Sequence, residues 1–231
     1  MFVLLRTLPS NLALCVNPDL EYSLLKSKVE LKVLSDGGVA GITDGKHVWM
    51  MTARICELFT PGDAESYETV KTCKGSELVG ISYTPLFDYF KGRKGLDKAW
   101  KVLGDSYVTA ESGTGIVHQA PAFGADDYRV CIAGGILEKG GDLPCPLDAN
   151  GCFTQEVGDF VGQNVKDADK GICKALEARG RMAKRTTISH SYPFCWRSNT
   201  PLIYRAVPSW FVKVEAIKER LCKNNAEGTY W

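Results

Sequence analysis

The sequence predicts an α+β fold in which a strand-rich, barrel-like sheet carries peripheral helices. Short apolar runs bounded by Gly, Pro or Asn outnumber the helical patterns. The two kinds of pattern do not alternate regularly, which argues against a doubly wound parallel sheet. At 231 residues, 45% hydrophobic and 24% charged, the chain has ordinary globular composition and length for one large domain or two small ones.

In order along the chain, Leu12–Val16 reads as a strand stopped by the turn pair Asn17 and Pro18. Residues 22–33 mix Leu and Val with Lys and Glu, the pattern of a hairpin-like pair with one half-buried face. His47–Met51 is a further strand, followed by a short helix over Ala53–Phe59. Gly75–Gly80 and Ile81–Pro85 read as strand pieces broken by Gly and Pro, and Ser106–Ala110 and Gly115–Gln119 as strands. Asp126–Ala133 reads as a helix whose two leading acids suit the positive end of its dipole. Residues 167–179 form the clearest amphipathic helix, with Ala168, Ile172, Ala175, Leu176 and Arg179 at helical spacing and Gly180 at its stop. Strands over residues 186–189 and Leu202–Val207 and a helix over Ala216–Lys223 complete the chain, without repeats or low-complexity tracts.

The net charge of +1 gives no electrostatic footprint that requires a nucleic acid, and it leaves room for a local patch that holds a single-stranded end. No apolar run is long enough to span a bilayer, and the first six residues are too short for a signal sequence. Nine cysteines, an odd number scattered singly, do not form a secreted disulfide framework and point to a reducing, cytoplasmic setting.

One stretch, Gly113 to Tyr128, concentrates the chemistry. It runs from a strand end through His118 and the turn Ala120–Gly124 to the acids Asp126 and Asp127. Taken singly, His118 reads as a satisfied core histidine and the two acids as the start of a helix. Together they bring a group that titrates near neutrality and a carboxylate towards one cleft, a combination suited to hydrolysis or amine binding. Gly113, Thr114 and Gly115 read as a tight turn, or as backbone N–H groups aimed at a substrate oxygen. No metal is expected, because His190 and Cys195 lack further ligands at usable spacing, and the cysteines read as small buried hydrophobes. Tyr192, Trp196, Tyr204, Trp210 and Phe211, interleaved with Arg197, Arg205 and Lys213, could form a stacking surface for RNA; the pattern better suits a β-arm packed on its neighbours.

The same motifs resemble the editing domain of isoleucyl-tRNA synthetases and their valyl and leucyl relatives. The resemblance covers nearly the whole chain. Thr7 to Ala13 is similar to the end of the family's threonine-rich peptide, Gly75–Gly80 with Tyr83–Phe87 to its strand-and-turn element, and Gly113–Tyr128 to its hydrolytic core. Residues 190–212 resemble the arm returning to the catalytic body, and the wording around Phe123 and Cys195 is most similar to eukaryotic cytoplasmic members. The two signature motifs of class I activation sites do not occur in this sequence, so no aminoacylation is expected of it.

The resemblance implies a single editing domain over residues 1–231, with the hydrolytic core at 1–189 and the return arm at 190–231. It implies hydrolysis of valine misattached to isoleucine tRNA, or of valyl-adenylate, by a positioned water. Such a site exists because one missing methylene is worth only about 1–3 kcal/mol to a binding pocket, the known general case for isoleucyl-tRNA synthetases and not a result obtained from this chain. Asp127 would hold the α-ammonium; His118 would line the side-chain pocket and help orient the water. Thr7 and Asn11 would border the ester or terminal adenosine, with Gly113, Thr114, Gly115 and Asp126 also at the substrate. Expected partners are the 3′ acceptor end of isoleucine tRNA, misactivated valine and the rest of the synthetase, with no membrane. No cofactor is expected here, whereas a full-length synthetase would use ATP and magnesium. One departure stands out. Residues 1–6 replace a family segment rich in threonine, which predicts weakened hydrolysis, or, as the alternative, a module that docks the acceptor end without catalysis.

Overall fold

The computed structural model describes residues 5–28, 45–59, 65–111, 113–184 and 192–228. Two three-stranded sheets form its centre. In the first, β1 (Ala13–Val16) lies between β5 (Lys101–Gly104), to which it is parallel, and β6 (Val117–Gln119), to which it is antiparallel. In the second, β2 (Glu21–Ser27) pairs antiparallel with both β3 (His47–Met51) and β4 (Tyr67–Lys74). Among the described residues the helices are α1 (Gly75–Leu78), α2 (Ala125–Ala133), α3 (Asp169–Ala178) and α4 (Lys218–Gly228). The architecture is therefore α+β, as the sequence predicts. Among the described residues the two sheets stay separate and no closed barrel forms.

β1 occupies the centre of its sheet because its residues are apolar on both faces: Ala13, Cys15 and Val16 are all buried. The two sheets meet at the Gly113–Gly115 turn. The Met51 N–H donates to the Thr114 carbonyl at 2.9 Å, and the Tyr22 hydroxyl donates to the Gly115 carbonyl at 2.8 Å. Gly115 has φ +75°, and a Cβ there would stand 2.3 Å from the Met51 Cβ, so only glycine fits.

α2 buries Val130 and Cys131 towards the first sheet. α3 buries Ile172, Cys173 and Leu176, the face read from its spacing. Its cluster includes Leu8, from the 3₁₀ turn Leu5–Ser10. Burying a leucine side chain contributes about 1.5–3 kcal/mol, so α3 anchors the turn that also carries Thr7.

Several expectations need correction. Gly75–Gly80 is not a strand piece: Gly75–Leu78 turns as α1, with the Lys74 N–H donating to the Glu77 carboxylate at its start. The strand expected at Ser106–Ala110 is displaced to Lys101–Gly104. Asp105 ends it, accepting the Tyr107 N–H at 3.0 Å in a side-chain turn. The short helix expected over Ala53–Phe59 is a 3₁₀ segment, Thr52–Glu57. Leu202–Val207 forms no strand, because its backbone bonds go to isolated partners, the Leu202 N–H to Pro193 and the Ala206 N–H to Ala122, and not to a ladder. The last helix begins at Lys218, after a 3₁₀ turn at Val214–Ala216. Residues 29–44 and 186–190, including His190, lie outside the described residues.

The interleaved aromatics do not pack as a β-arm. Trp196 is 85% exposed and Trp210 fully so, with Tyr204 and Phe211 also in solvent. Their segment touches the core at Arg205, whose guanidinium donates to the Leu147 and Asp148 carbonyls, and at Ala206, whose N–H donates to the Ala122 carbonyl at 2.7 Å. All nine cysteines are free thiols; Cys15, Cys73, Cys131 and Cys173 are buried as expected, whereas Cys56 and Cys222 are exposed.

The tightest glycine contact offers a test of this packing. A Cβ on Gly75 would lie 2.0 Å from the Asn17 carbonyl oxygen and 2.9 Å from the Tyr22 ring. Gly75→Ala should lower stability by roughly 2–4 kcal/mol, whereas Gly158→Ala, where a Cβ meets nothing within 4 Å, should change it by less than about 0.5 kcal/mol. Urea midpoints measure both. Equal midpoints would contradict the packing.

Candidate active site

The centre of the candidate site is a buried imidazole. His118 sits in β6 opposite Leu14 of β1 and is 7% exposed. Its Nε2 lies 2.8 Å from Thr7 Oγ1 and its Nδ1 lies 3.2 Å from Asn11 Nδ2. Asn11 also donates to the Ala13 carbonyl at 2.8 Å and accepts a hydrogen bond from the Tyr83 hydroxyl. With the amide so oriented, Nδ1 accepts and Nε2 carries the ring proton. Burial pushes the His118 pKa down to about 4, so the ring is neutral at physiological pH.

Asp127 is tied to the same strand through the turn. Its carboxylate accepts the Ala120 N–H at 2.8 Å, two residues beyond His118. Gly124, the residue that opens α2, lets this happen: a Cβ there would stand 2.8 Å from the Asp127 carboxyl carbon. Burial pushes the Asp127 pKa up, and the charge of Asp126 adds to that; the Ala120 N–H opposes both. Asp127 is thus a partly buried carboxylate held by backbone N–H groups, with no cation beside it among the causes of its shift.

Thr7, Asn11 and His118 therefore come together, and Asp127 is hydrogen-bonded to the backbone two residues beyond His118. The other expected residues stand differently. Asp126 is exposed and pairs with Arg129 at 3.2 Å, and Arg129 also holds Asp105 through two bonds. The Gly113 carbonyl accepts from Arg54 Nε at 3.0 Å. The carbonyls of Thr114 and Gly115 link the two sheets. The turn thus has a structural duty beside any contact with substrate.

Sequence reasoning missed three contributors. Tyr83 carries a signal, a polar aromatic just before Thr84 and Pro85, but nothing local assigns it a role. Gly124 carried one too, standing immediately before two acids. Arg54 looked like any charge on a short helix, and nothing in the sequence foretold its bond to Gly113.

Burial also pushes the Cys15 and Cys131 thiols up to about 12, so neither supplies a thiolate nucleophile. Among the described residues no three His, Cys, Asp or Glu side chains are grouped to hold a metal ion, and no helix is long and apolar enough to cross a membrane.

The depressed His118 pKa fixes the sign of one pH effect. Unfolded histidine binds a proton below about 6.5, whereas His118 in the folded chain binds one only near 4. In that window the unfolded state takes up more protons, so stability falls as pH drops. The full effect is on the order of 3 kcal/mol. Asp127, with its raised pKa, acts in the opposite sense, losing stability as pH rises through its own titration. Urea midpoints from pH 7 to pH 4 should fall less steeply in His118→Gln than in the unaltered chain. Parallel curves would contradict a buried neutral imidazole.

The chain matches no protein-family model. It is 49% identical over 225 residues to the cytoplasmic isoleucine–tRNA ligase of Mus musculus, covering 97% of this chain and 16% of that protein. It is 47% identical over 226 residues to the isoleucine–tRNA ligase of Bdellovibrio bacteriovorus, covering 97% of this chain and 19% of that protein. The chain therefore spans less than a fifth of the length of these relatives. Among solved structures it resembles the editing domain of the P. falciparum cytosolic leucyl-tRNA synthetase, with TM-score 0.54 and 14% identity over 78% of this chain and 76% of that one. The P. knowlesi counterpart gives TM-score 0.52 and 13% identity over 80% and 81%.

Proposed function

Because this chain is homologous over 97% of its length to isoleucine–tRNA ligases and has the fold of a synthetase editing domain, we propose that it is a proofreading hydrolase that removes valine from isoleucine tRNA. The observation that carries this reading is the Thr7–His118–Asn11 cluster at β6 together with Asp127, whose carboxylate accepts the Ala120 N–H two residues beyond His118.

Asp127 is the anchor for the α-ammonium of the amino acid. Its carboxylate is half-removed from water and held by backbone N–H groups without a neighbouring cation contributing to its shift, so an arriving ammonium supplies the counter-charge. His118 acts as a wall. Its Nδ1 is occupied by Asn11, its Nε2 bears a proton, and its pKa of about 4 makes it a poor base. A rigid wall of this kind admits valine and rejects isoleucine, since overpacking a fixed site costs roughly 1–3 kcal/mol.

The reaction is attack of a water oxygen on the ester carbonyl. The ester C–O bond breaks, the carboxyl product keeps the water oxygen, and the ribose hydroxyl leaves with a proton. Proximity and fixed dipoles supply the acceleration, with no covalent intermediate on the protein. The same geometry suits valyl-adenylate. Gly113–Gly115 borders the substrate through its backbone, and Asp126 stands at its outer edge. The 3′ end of isoleucine tRNA is the natural partner, in a cytoplasmic setting. The arm from residue 190 onward faces the remainder of a longer synthetase, which would bind ATP and magnesium.

Val-tRNA and Ile-tRNA, each charged on isoleucine tRNA, should behave differently when supplied to the chain. The valyl ester should be deacylated and the isoleucyl ester spared. Asp127→Ala should lower kcat/KM for the valyl ester by roughly ten- to a hundredfold, the worth of one charge-assisted hydrogen bond of about 1.5–3 kcal/mol. Tight tRNA binding without turnover would instead favour a docking module.

A further inference from the structure

We infer that Tyr83 is a positioning residue for His118: by holding the Asn11 amide in one orientation, it fixes the imidazole as a neutral ring protonated at Nε2. The consequence for selectivity rests on the hydrolytic reading above; the fixing of the ring stands on hydrogen-bond geometry.

An asparagine amide has one donor end and one acceptor end. The Ala13 carbonyl can only accept, and it lies 2.8 Å from Asn11 Nδ2. At the other end Asn11 Oδ1 accepts the Tyr83 hydroxyl. Burial pushes the Tyr83 pKa up, so the phenol keeps its proton and remains a donor. The NH₂ end is thereby turned to His118 Nδ1 at 3.2 Å, and the ring proton to Thr7 Oγ1 at 2.8 Å. Reversing the amide would set Oδ1 against the Ala13 carbonyl, two acceptors face to face. The Ala13 carbonyl opposes the reversed amide directly; Tyr83 adds to it, because its hydroxyl oxygen could accept from the NH₂ end but its proton would lose Asn11 Oδ1 as acceptor.

The backbone brings Tyr83 to this place by an unusual route. Its N–H donates to the Trp100 carbonyl at 2.9 Å, and the Trp100 N–H donates to the Leu12 carbonyl at 2.7 Å. Trp100 has φ +57°, a left-handed conformation that a bulky residue adopts only under strain. That strained residue links the Tyr83 segment to the residue next to Asn11. Neither the ammonium anchor nor the ester chemistry requires Tyr83 to touch substrate. Its action passes through Asn11 to the ring.

Ring ¹⁵N spectra of His118, one of three histidines, read the tautomer directly. The unaltered chain should show one neutral form with the proton on Nε2. In Tyr83→Phe a second, Nδ1-protonated population should appear, and the preference for the valyl over the isoleucyl ester should fall about tenfold, the scale of one lost hydrogen bond. An Nδ1-protonated ring in the unaltered chain overturns the inference, as does a tautomer untouched by Tyr83→Phe. Should the Phe variant fail to fold, Asn11→Asp asks the same question. A carboxylate has no donor end, so retention of the Nε2 tautomer there would also overturn it. A chain that deacylates nothing, yet shows the tautomer change in Tyr83→Phe, would defeat the hydrolytic reading and leave the positioning of His118 standing.

Discussion

A neutral histidine inside a protein is stable only when both its nitrogens are matched, and His118 meets that condition with partners more than a hundred residues away in sequence. Thr7 and Asn11 come from the start of the described chain and His118 from its middle. Their meeting requires β1 to lie against β6 in the register that sets Leu14 beside His118. A slip of one residue would turn the imidazole to the other face of the sheet and leave Asn11 and Thr7 without it. The pairing of β1 and β6 is therefore the constraint on which the candidate site depends.

Much of the rest of the molecule supports that pairing. β5 covers the other edge of β1. α3 packs against Leu8 and so steadies the turn that presents Thr7. The second sheet contributes Met51 and Tyr22, which hold the Gly113–Gly115 turn through its carbonyls and so set where β6 begins. Gly124 admits the Asp127 carboxylate to the Ala120 N–H. The Ala122 carbonyl in the same turn also receives the Ala206 N–H from the exposed arm. Sheet, helix and arm thus converge on one short connection between an imidazole and an acid.

The parts of this arrangement legible in the sequence are those with local signals. α3 followed from helical spacing, and α2 from its paired acids and the Gly-containing turn before it. β1, β3 and β6 followed from apolar runs with clear stops. α1 was misread because Leu78 and Val79 look like strand residues, while its start is decided by Glu77 reaching back to the Lys74 N–H. β4 escaped notice because its side chains are largely exposed, with charged and hydroxyl residues interspersed, leaving no apolar alternation to see. At the site, His118 and Asp127 were visible as chemistry. Tyr83 was not, because its role depends on the strained Trp100 and on a contact across the fold. The aromatic arm was expected to pack, since large apolar side chains are usually covered, but its backbone lacks the ladder that would lay it on the core.

The central claim is that the fixed, neutral His118 and the under-compensated Asp127 bound one cavity that accepts a valyl group. A crystal structure with a non-hydrolysable valyl-adenosine analogue addresses it most directly. The account predicts the analogue's ammonium within hydrogen-bonding distance of the Asp127 carboxylate and its isopropyl group against the His118 ring. An analogue seated away from both side chains, or held with its ammonium on another carboxylate, would contradict it.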